Sequence, residues 1–465
     1  MALSESAARE LAVEHLLPAL RDEKEQLDRI DRWWRWDHDR PHAPRQASRE
    51  YAELMGRSYT PWLGLVVTSV AQALYVNGYR RSDATEDMSS WRFWQANRMD
   101  ARQGAIYRAA LAYGQSFAVA LPGSVGDDPV PAIRGVSPRR MVASWDDPAS
   151  DEWPEYALEA SSGLDSAGDQ VWKLKLYDPE YVHHIRVPVS AGSRPVYEGA
   201  DEHGIGVTPV VRYANALDLE GRTPGEVEPY ISIAGRINQT TFDRLVVQRF
   251  ASWVVRTVSG MARPDDDDEA RHLRMQLKVE DLLVAEDPDT KFGSLPATPL
   301  APFIDAKDGD IRDLAAVTQT PPHHLLGQMA NLSAEALAAA EASLNRKIIE
   351  RKASFGESHE SLLRLSARIV GDEEGWLDTS AQIHWRDMES RSLAQAADAL
   401  GKLAQMLNVP YELLWEQIPG WSQTDVERAR HLVEEEDGIQ RLVEAMQTNA
   451  AAEEVPPSAP AEADG

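Results

Sequence analysis

Apolar residues recur at helical spacing across residues 3–36, at Leu11, Leu16, Leu17, Leu20, Leu27 and Ile30, and the run closes on Trp33-Trp34-Arg35-Trp36. Pro41 and Pro44 break it. A second apolar helix is expected from Pro61 to Ala73, on Trp62, Leu65, Val66 and Val70, followed by a short strand with a Gly turn over Leu74 to Tyr79. A third helical run opens at Trp91 and Trp94. It ends at Tyr113-Gly114, with glycine where the chain leaves a helix through left-handed backbone. The period then drops to two. Gln115 to Leu121 alternates like a strand, as do Ala132 to Ser137, Glu155 to Ala160, Val171 to Tyr177 and Val207 to Tyr213, with Pro, Gly and Asp clusters between them. Residues 40–215 therefore read as a mixed α+β domain.

Helical spacing returns near Glu226 and continues through Ile231, Ile237, Phe242, Leu245, Val246 and Trp253, ending before Gly260. Residues 257–305 are punctuated by Pro264, Pro288, Pro296, Pro299 and Pro302, which fits a small subdomain inserted between two helices. The second of those helices is short, Asp310 to Thr318. Pro321-Pro322 stops it, because proline removes a backbone donor and pushes the preceding residue out of the α region. A polar turn follows to Asn331, and then Ser333 caps a long helix rich in alanine. Its apolar positions, Leu337, Leu344, Ile348, Phe355, Leu362 and Ile369, are close to a heptad seam. At 1.5 Å per residue this helix is roughly 55 Å long, which suits a structural lever or ring-building element better than a catalytic cleft. Gly371 to Gly375 reads as a turn, and Ala381 to Trp385 as a strand returning to the α+β domain. Residues 388–447 are helical again, and the Ala, Glu and Pro-rich chain from Thr448 reads as a disordered tail.

Composition is that of a globular protein, 43% hydrophobic and 26% charged. Charge changes the picture more: 48 Lys and Arg against 75 Asp and Glu leave −27, which argues against tight binding of nucleic acid through phosphate neutralisation. It is compatible with a surface past which DNA slides without sticking. Cysteine is absent, which excludes disulfides, thiolate catalysis and Cys-ligated zinc. The first twenty residues lack the apolar core of a signal peptide, and no apolar run is long enough to span a membrane.

Candidate chemistry is sparse. Asp265 to Asp268 could ligate a hard cation, but the Gly and distal Glu of a calcium loop are missing and a solvated turn explains the run. With His272 they could form a metal-dependent hydrolase centre, yet no nucleophile or oxyanion motif accompanies them. His183 and His184 lie on a strand-like run, so their side chains leave opposite faces and cannot share a metal. Gly204-Ile205-Gly206 is only a fragment of a nucleotide-binding fingerprint, and no Gly-rich loop with Lys and Ser/Thr offers a seat for ATP. No cofactor is implied.

Several segments, in order, resemble the portal proteins of tailed bacteriophages, in particular the Gp6-like portal family of actinobacterial siphophages. They are Tyr75-Val76-Asn77-Gly78-Tyr79; Trp94 to Asp100 with Ala109 to Gly114; Ser137-Pro138-Arg139; Leu176-Tyr177-Asp178-Pro179; Thr208 to Val211 with Asn215; Ile237 to Thr240; and Pro321-Pro322 followed by Asn331 to Leu337. The resemblance implies a portal fold and a ring of about twelve subunits at one capsid vertex. It further implies an N-terminal helical arm at 1–39, a wing at 40–225 completed by 371–387, stem helices at 226–256 and 306–318, and a clip at 257–305. A tunnel loop at 319–332, a long helix at 333–370, a helical crown at 388–447 and a tail at 448–465 complete the expected order. Channel-facing residues would be Gln319, His323, His324, Gln328 and Asn331. The clip would dock partners through Asp265, Asp266, Asp267, Asp268 and Arg271, and Trp33, Trp34, Trp36 and Trp253 would lie at subunit contacts. The implied partners are the terminase large subunit, the major capsid and scaffolding proteins, a head-completion or adaptor protein, and double-stranded DNA read without sequence preference. Such a protein would be a virion component assembled in the host cytoplasm and not an enzyme. Another minor head or connector protein is the alternative.

Overall fold

The computed structural model describes residues 3–35, 37–42, 49–81, 89–165, 168–189, 194–251, 256–259, 291–294, 298–327, 334–386, 393–418, 420–421 and 423–433. Helix α1 (Glu5–Glu10) continues through a π-helical turn, Leu11–Leu16, into α2 (Leu17–Trp34). Then come α3 (Arg49–Arg57), α4 (Trp62–Gln72), β1 (Val76–Arg80), α5 (Ser89–Ala96) and α6 (Met99–Tyr113). The strands β2 (Gln115–Leu121), β3 (Ser124–Val125), β4 (Asp128–Pro129), β5 (Ala132–Val136), β6 (Met141–Ser144) and β7 (Tyr156–Leu164) follow. Strands β8 (Gln170–Tyr177), β9 (Tyr181–Pro188), β10 (Val196–Glu202) and β11 (Val210–Ala214) complete this run. Beyond them lie α7 (Ile231–Ala251), β12 (Arg256–Ser259), β13 (Lys291–Ser294), α8 (Ala301–Val317), α9 (Pro322–Leu326) and α10 (Ala334–Val370). Helix α11 (Glu373–Leu377), β14 (Gln382–Trp385), α12 (Leu393–Leu407), α13 (Tyr411–Leu414) and a helical stretch at 423–433 finish the described chain.

These elements form two units. The first comprises residues 1–28, 67–225 and 345–465. Its main sheet is antiparallel, in the order β10-β9-β8-β7-β6, and a three-stranded antiparallel sheet runs β11-β2-β5. Strand alternation sends Leu158, Leu174, Leu176 and Ile185 to one face of the larger sheet. There they bury against Ala8, Ala12, Leu16, Leu17 and Leu20, so the N-terminal helix is that face's cover. Ala157, Tyr177, Val182 and Met141 go to the other face and meet Phe117, Val119, Val136 and Val210 of the smaller sheet. Strand β1 pairs antiparallel with β14, Tyr79 opposite Ile383, so residues 382–385 share a unit with residues 67–225.

The expected third helical run is two helices. Arg98 adopts left-handed backbone (φ 54°), and Asn97 holds the break. Its Nδ2 donates to the carbonyls of Phe93 and Pro131, 2.8 Å each, while its Oδ1 accepts from the Ile133 N–H at 2.7 Å. At the end of α6, Gly114 has φ 97°, as the sequence requires, and a Cβ there would lie 1.8 Å from the Thr223 carbonyl oxygen.

Residues 345–370 of α10 are embedded in this unit. Phe355 stacks on Tyr107 with ring centroids 5.5 Å apart, and Ser354 and Ser358 donate to the carbonyls of Ala214 and Arg212 on β11. His359, fully buried, sits between the hydroxyls of Tyr107 (2.6 Å) and Tyr213 (2.8 Å). Burial drives its imidazole down to a pKa of about 3, so it is neutral. Leu344, Phe355 and Leu362 of the expected seam are buried, and Leu363, Leu365 and Ala367 are as well, so the last turns are enclosed on more than one face.

The second unit comprises residues 29–66 and 226–344. Helices α7 and α8 pack antiparallel. The Tyr230 hydroxyl, just before α7, donates to the Val317 carbonyl, and Arg236 reaches Asp310 at 2.8 Å and Asp313 at 3.0 Å. The helix expected over Asp310 to Thr318 is longer than its sequence reading, beginning at Ala301. Pro302 stands in its first turn, where a missing N–H has no helical partner to lose. Strands β12 and β13, which follow α7 and precede α8, pair with each other, Arg256 opposite Ser294.

Candidate channel loop

The turn after α8 is fixed by two buried threonines. Thr318 Oγ1 donates to the Leu314 carbonyl at 2.7 Å and lies 3.0 Å from Thr320 Oγ1, whose hydroxyl can donate to it, and the Thr320 N–H bonds the Ala315 carbonyl at 3.0 Å. Between them Gln319 takes left-handed backbone (φ 54°) and is exposed. Pro321 is extended (ψ 132°) and Pro322 opens α9 from its first helical position, so what reads as a breaker in sequence also starts a helix. Gly327 (φ 65°) closes that short helix by donating to the His323 carbonyl.

Both imidazoles of α9 point to one carboxylate. His323 Nε2 lies 3.0 Å and His324 Nε2 3.2 Å from the same oxygen, Glu341 Oε1, and the two rings meet nearly at right angles with centroids 4.6 Å apart. The His323 side chain is 9% exposed, whereas that of His324 is 34% exposed. Glu341 lies far along the sequence on α10, and no spacing in the chain announced its link to the pair. Of the expected channel residues, Gln319, His323 and His324 are thus brought to one turn. Gln328 and Asn331 lie outside the described residues, as do the capping Ser333, the clip residues Asp265 to Asp268 and Arg271, His272, and Trp36 and Trp253.

Trp33 is 3% exposed. It stacks on His38 at 4.6 Å, and its Nε1 donates to Asp39 Oδ2 at 3.0 Å; Trp34 is half-buried. His183 and His184 do leave opposite faces of β9. His183 Nε2 lies 3.0 Å from Asp178 Oδ2 and its Nδ1 2.9 Å from the Tyr197 hydroxyl, while His184 Nε2 lies 2.8 Å from Asp201 Oδ2. Burial alone would raise the Asp178 carboxyl. The bond to His183 and the N–H groups of Leu3, Glu180 and Tyr181 outweigh it and hold the carboxyl below its ordinary range. The histidine pair is therefore part of the architecture of the sheet. Gly204 and Gly206 both have positive φ and shape a turn.

The family described as phage portal protein, SPP1 Gp6-like, matches residues 15–441 of this chain. The chain belongs to that portal protein family. It is 31% identical over 360 residues to the portal protein of Mycobacterium phage D29, covering 73% of this chain and 71% of the relative. To the portal protein of Mycobacterium phage L5 it is 30% identical over 386 residues, covering 76% and 74%. Among solved structures it is similar to a chain of the virion of a native gene transfer agent particle, at 12% identity and a TM-score of 0.48, with 82% of this chain and 96% of that one covered. As a phage portal protein it is a structural virion component and not an enzyme, which sets aside the hydrolase and minor-head readings. Among the described residues no helix is long and apolar enough to cross a membrane.

Proposed function

We propose that this portal protein assembles into a ring of about twelve copies at one capsid vertex, and that the ring is the channel through which double-stranded DNA is packaged and later leaves. The observation that carries the reading is the second unit's layout. An antiparallel helix pair, α7 and α8, is tied by Arg236; between the two in sequence lies a paired ribbon, β12–β13; and a tightly bonded turn at Thr318 to Gly327 follows α8. In this account α7 and α8 are the stem and the chain between them is the clip, on which the terminase large subunit docks first and a head-completion or adaptor protein later. The turn is the tunnel loop. The first unit is the wing, facing the capsid and scaffolding proteins, with the crown at 388–447. Assembly takes place in the host cytoplasm.

Physical chemistry favours such a conduit. DNA must pass many subunits without being held, and each phosphate neutralised by a fixed cation adds affinity and drag. A chain of net charge −27 that offers an exposed amide, Gln319, and a part-exposed imidazole, His324, makes contacts of the weak and reversible kind. The test replaces Gln319 and His324 together by alanine in a phage supplied with only the variant. Heads should still form with portal incorporated while the DNA packaged per head falls; normal packaging would remove this turn from the channel.

A further inference from the structure

We propose that His323, His324 and Glu341 form a zinc site. The three side chains each offer one ligand atom, and those atoms all lie within 4.8 Å of one another. Two imidazole nitrogens with one carboxylate oxygen is a donor set that suits Zn²⁺. The spacing fits as well. A zinc ion held at about 2.0–2.1 Å by tetrahedral ligands keeps those ligands roughly 3.3–3.4 Å from each other. The two N···O separations here are 3.0 and 3.2 Å, a little under that spacing, and the two histidine nitrogens lie within 4.8 Å of each other, so small side-chain rearrangements admit the ion.

The backbone presents the ligands in advance. Adjacent histidines on a strand diverge, as His183 and His184 do, but on the single turn of α9 they converge. That turn is set at one end by Pro321-Pro322 and at the other by the left-handed Gly327. Their rings are nearly perpendicular with centroids 4.6 Å apart, and both Nε2 atoms reach the same carboxylate oxygen. Glu341 comes from α10, so the ion would clasp α9 to α10 and pin both ends of the chain between them. The exposure of His324 and Glu341 leaves the fourth position to water. The site requires only the contacts within this unit and does not depend on the channel reading.

The experiment uses the full chain, stripped with a chelator and titrated with ZnCl₂, with bound zinc counted per chain and Co²⁺ used in parallel as a spectroscopic probe of tetrahedral ligation. His324→Ala and Glu341→Gln are the test variants. Both alter side chains that are partly exposed, and circular dichroism with a thermal midpoint verifies that each folds. Wild type should take one zinc per chain at micromolar free metal and give the intense visible bands of tetrahedral cobalt. Changing a group that merely supports a ligand weakens zinc binding about 10–100-fold, so loss of a ligand itself should weaken it by at least about 100-fold. No uptake by wild type, or a loss smaller than about tenfold in both variants, would overturn the site.

Discussion

His359 gives the account its sharpest thermodynamic test. The imidazole is fully buried between the Tyr107 and Tyr213 hydroxyls, and burial lowers its pKa from 6.5 to about 3. A group whose folded pKa is depressed stabilises the fold above its unfolded pKa and loses that contribution as pH falls toward the folded value. At pH 7 the unfolded chain gains little by protonating this histidine. At pH 5 it gains substantially, and the difference is about 2 kcal/mol of the roughly 5 kcal/mol available if the pH were taken below 3. Replacement by Gln keeps a polar group near both tyrosines and removes the titration. His359→Gln should therefore be less stable than wild type at pH 7 by about 1–3 kcal/mol, and the gap should narrow by about 2 kcal/mol at pH 5. Urea unfolding of both proteins at the two pH values measures this directly, because every other titrating group cancels in the difference. Parallel pH slopes for the two proteins would mean that His359 is not held neutral, and the packing of α10 against β11 would have to be redrawn.

Two further substitutions probe the first unit. Gly114→Ala places a Cβ 1.8 Å from the Thr223 carbonyl oxygen on left-handed backbone, so it should cost roughly 2–4 kcal/mol in urea unfolding; a loss below about 1 kcal/mol would contradict the close approach. Glu159 is bonded by Arg134 and by the Tyr177 hydroxyl at 3.0 Å. Burial would raise its carboxyl, and these partners outweigh burial and hold it below its ordinary range. Its stabilisation is thus present at neutral pH and lost as pH falls through the acid range, so Glu159→Gln should cost about 1–3 kcal/mol at pH 7 and progressively less below about pH 4. A gap independent of pH would refute the ionised pairing.

The strands at Val171 to Tyr177 and Gln115 to Leu121 appear nearly where the sequence puts them, because both are runs with apolar side chains that bury in a core. Strand β10 was not legible. As an edge strand from Val196 to Glu202 it is mostly exposed and carries three acidic residues, so it has no apolar face to betray it. Helix α3 escaped for a similar reason, having no buried residue and a glycine near its end. Proline misled twice. Pro302 and Pro322 read as breakers, yet each occupies the opening turn of a helix, where proline is well suited. The long helix was plain from its alanines and seam, but its polar partners were not. His359 between two tyrosines, and Glu341 opposite two histidines, join residues too far apart in sequence for any spacing rule to connect.

The central claim is assembly into a ring around a channel, and the most direct measurement is the mass of the purified chain in solution together with negative-stain images. With scaffolding protein supplied if required, closed rings of about twelve copies with a central hole should form. A stable dimer that forms no ring under either condition would contradict that claim.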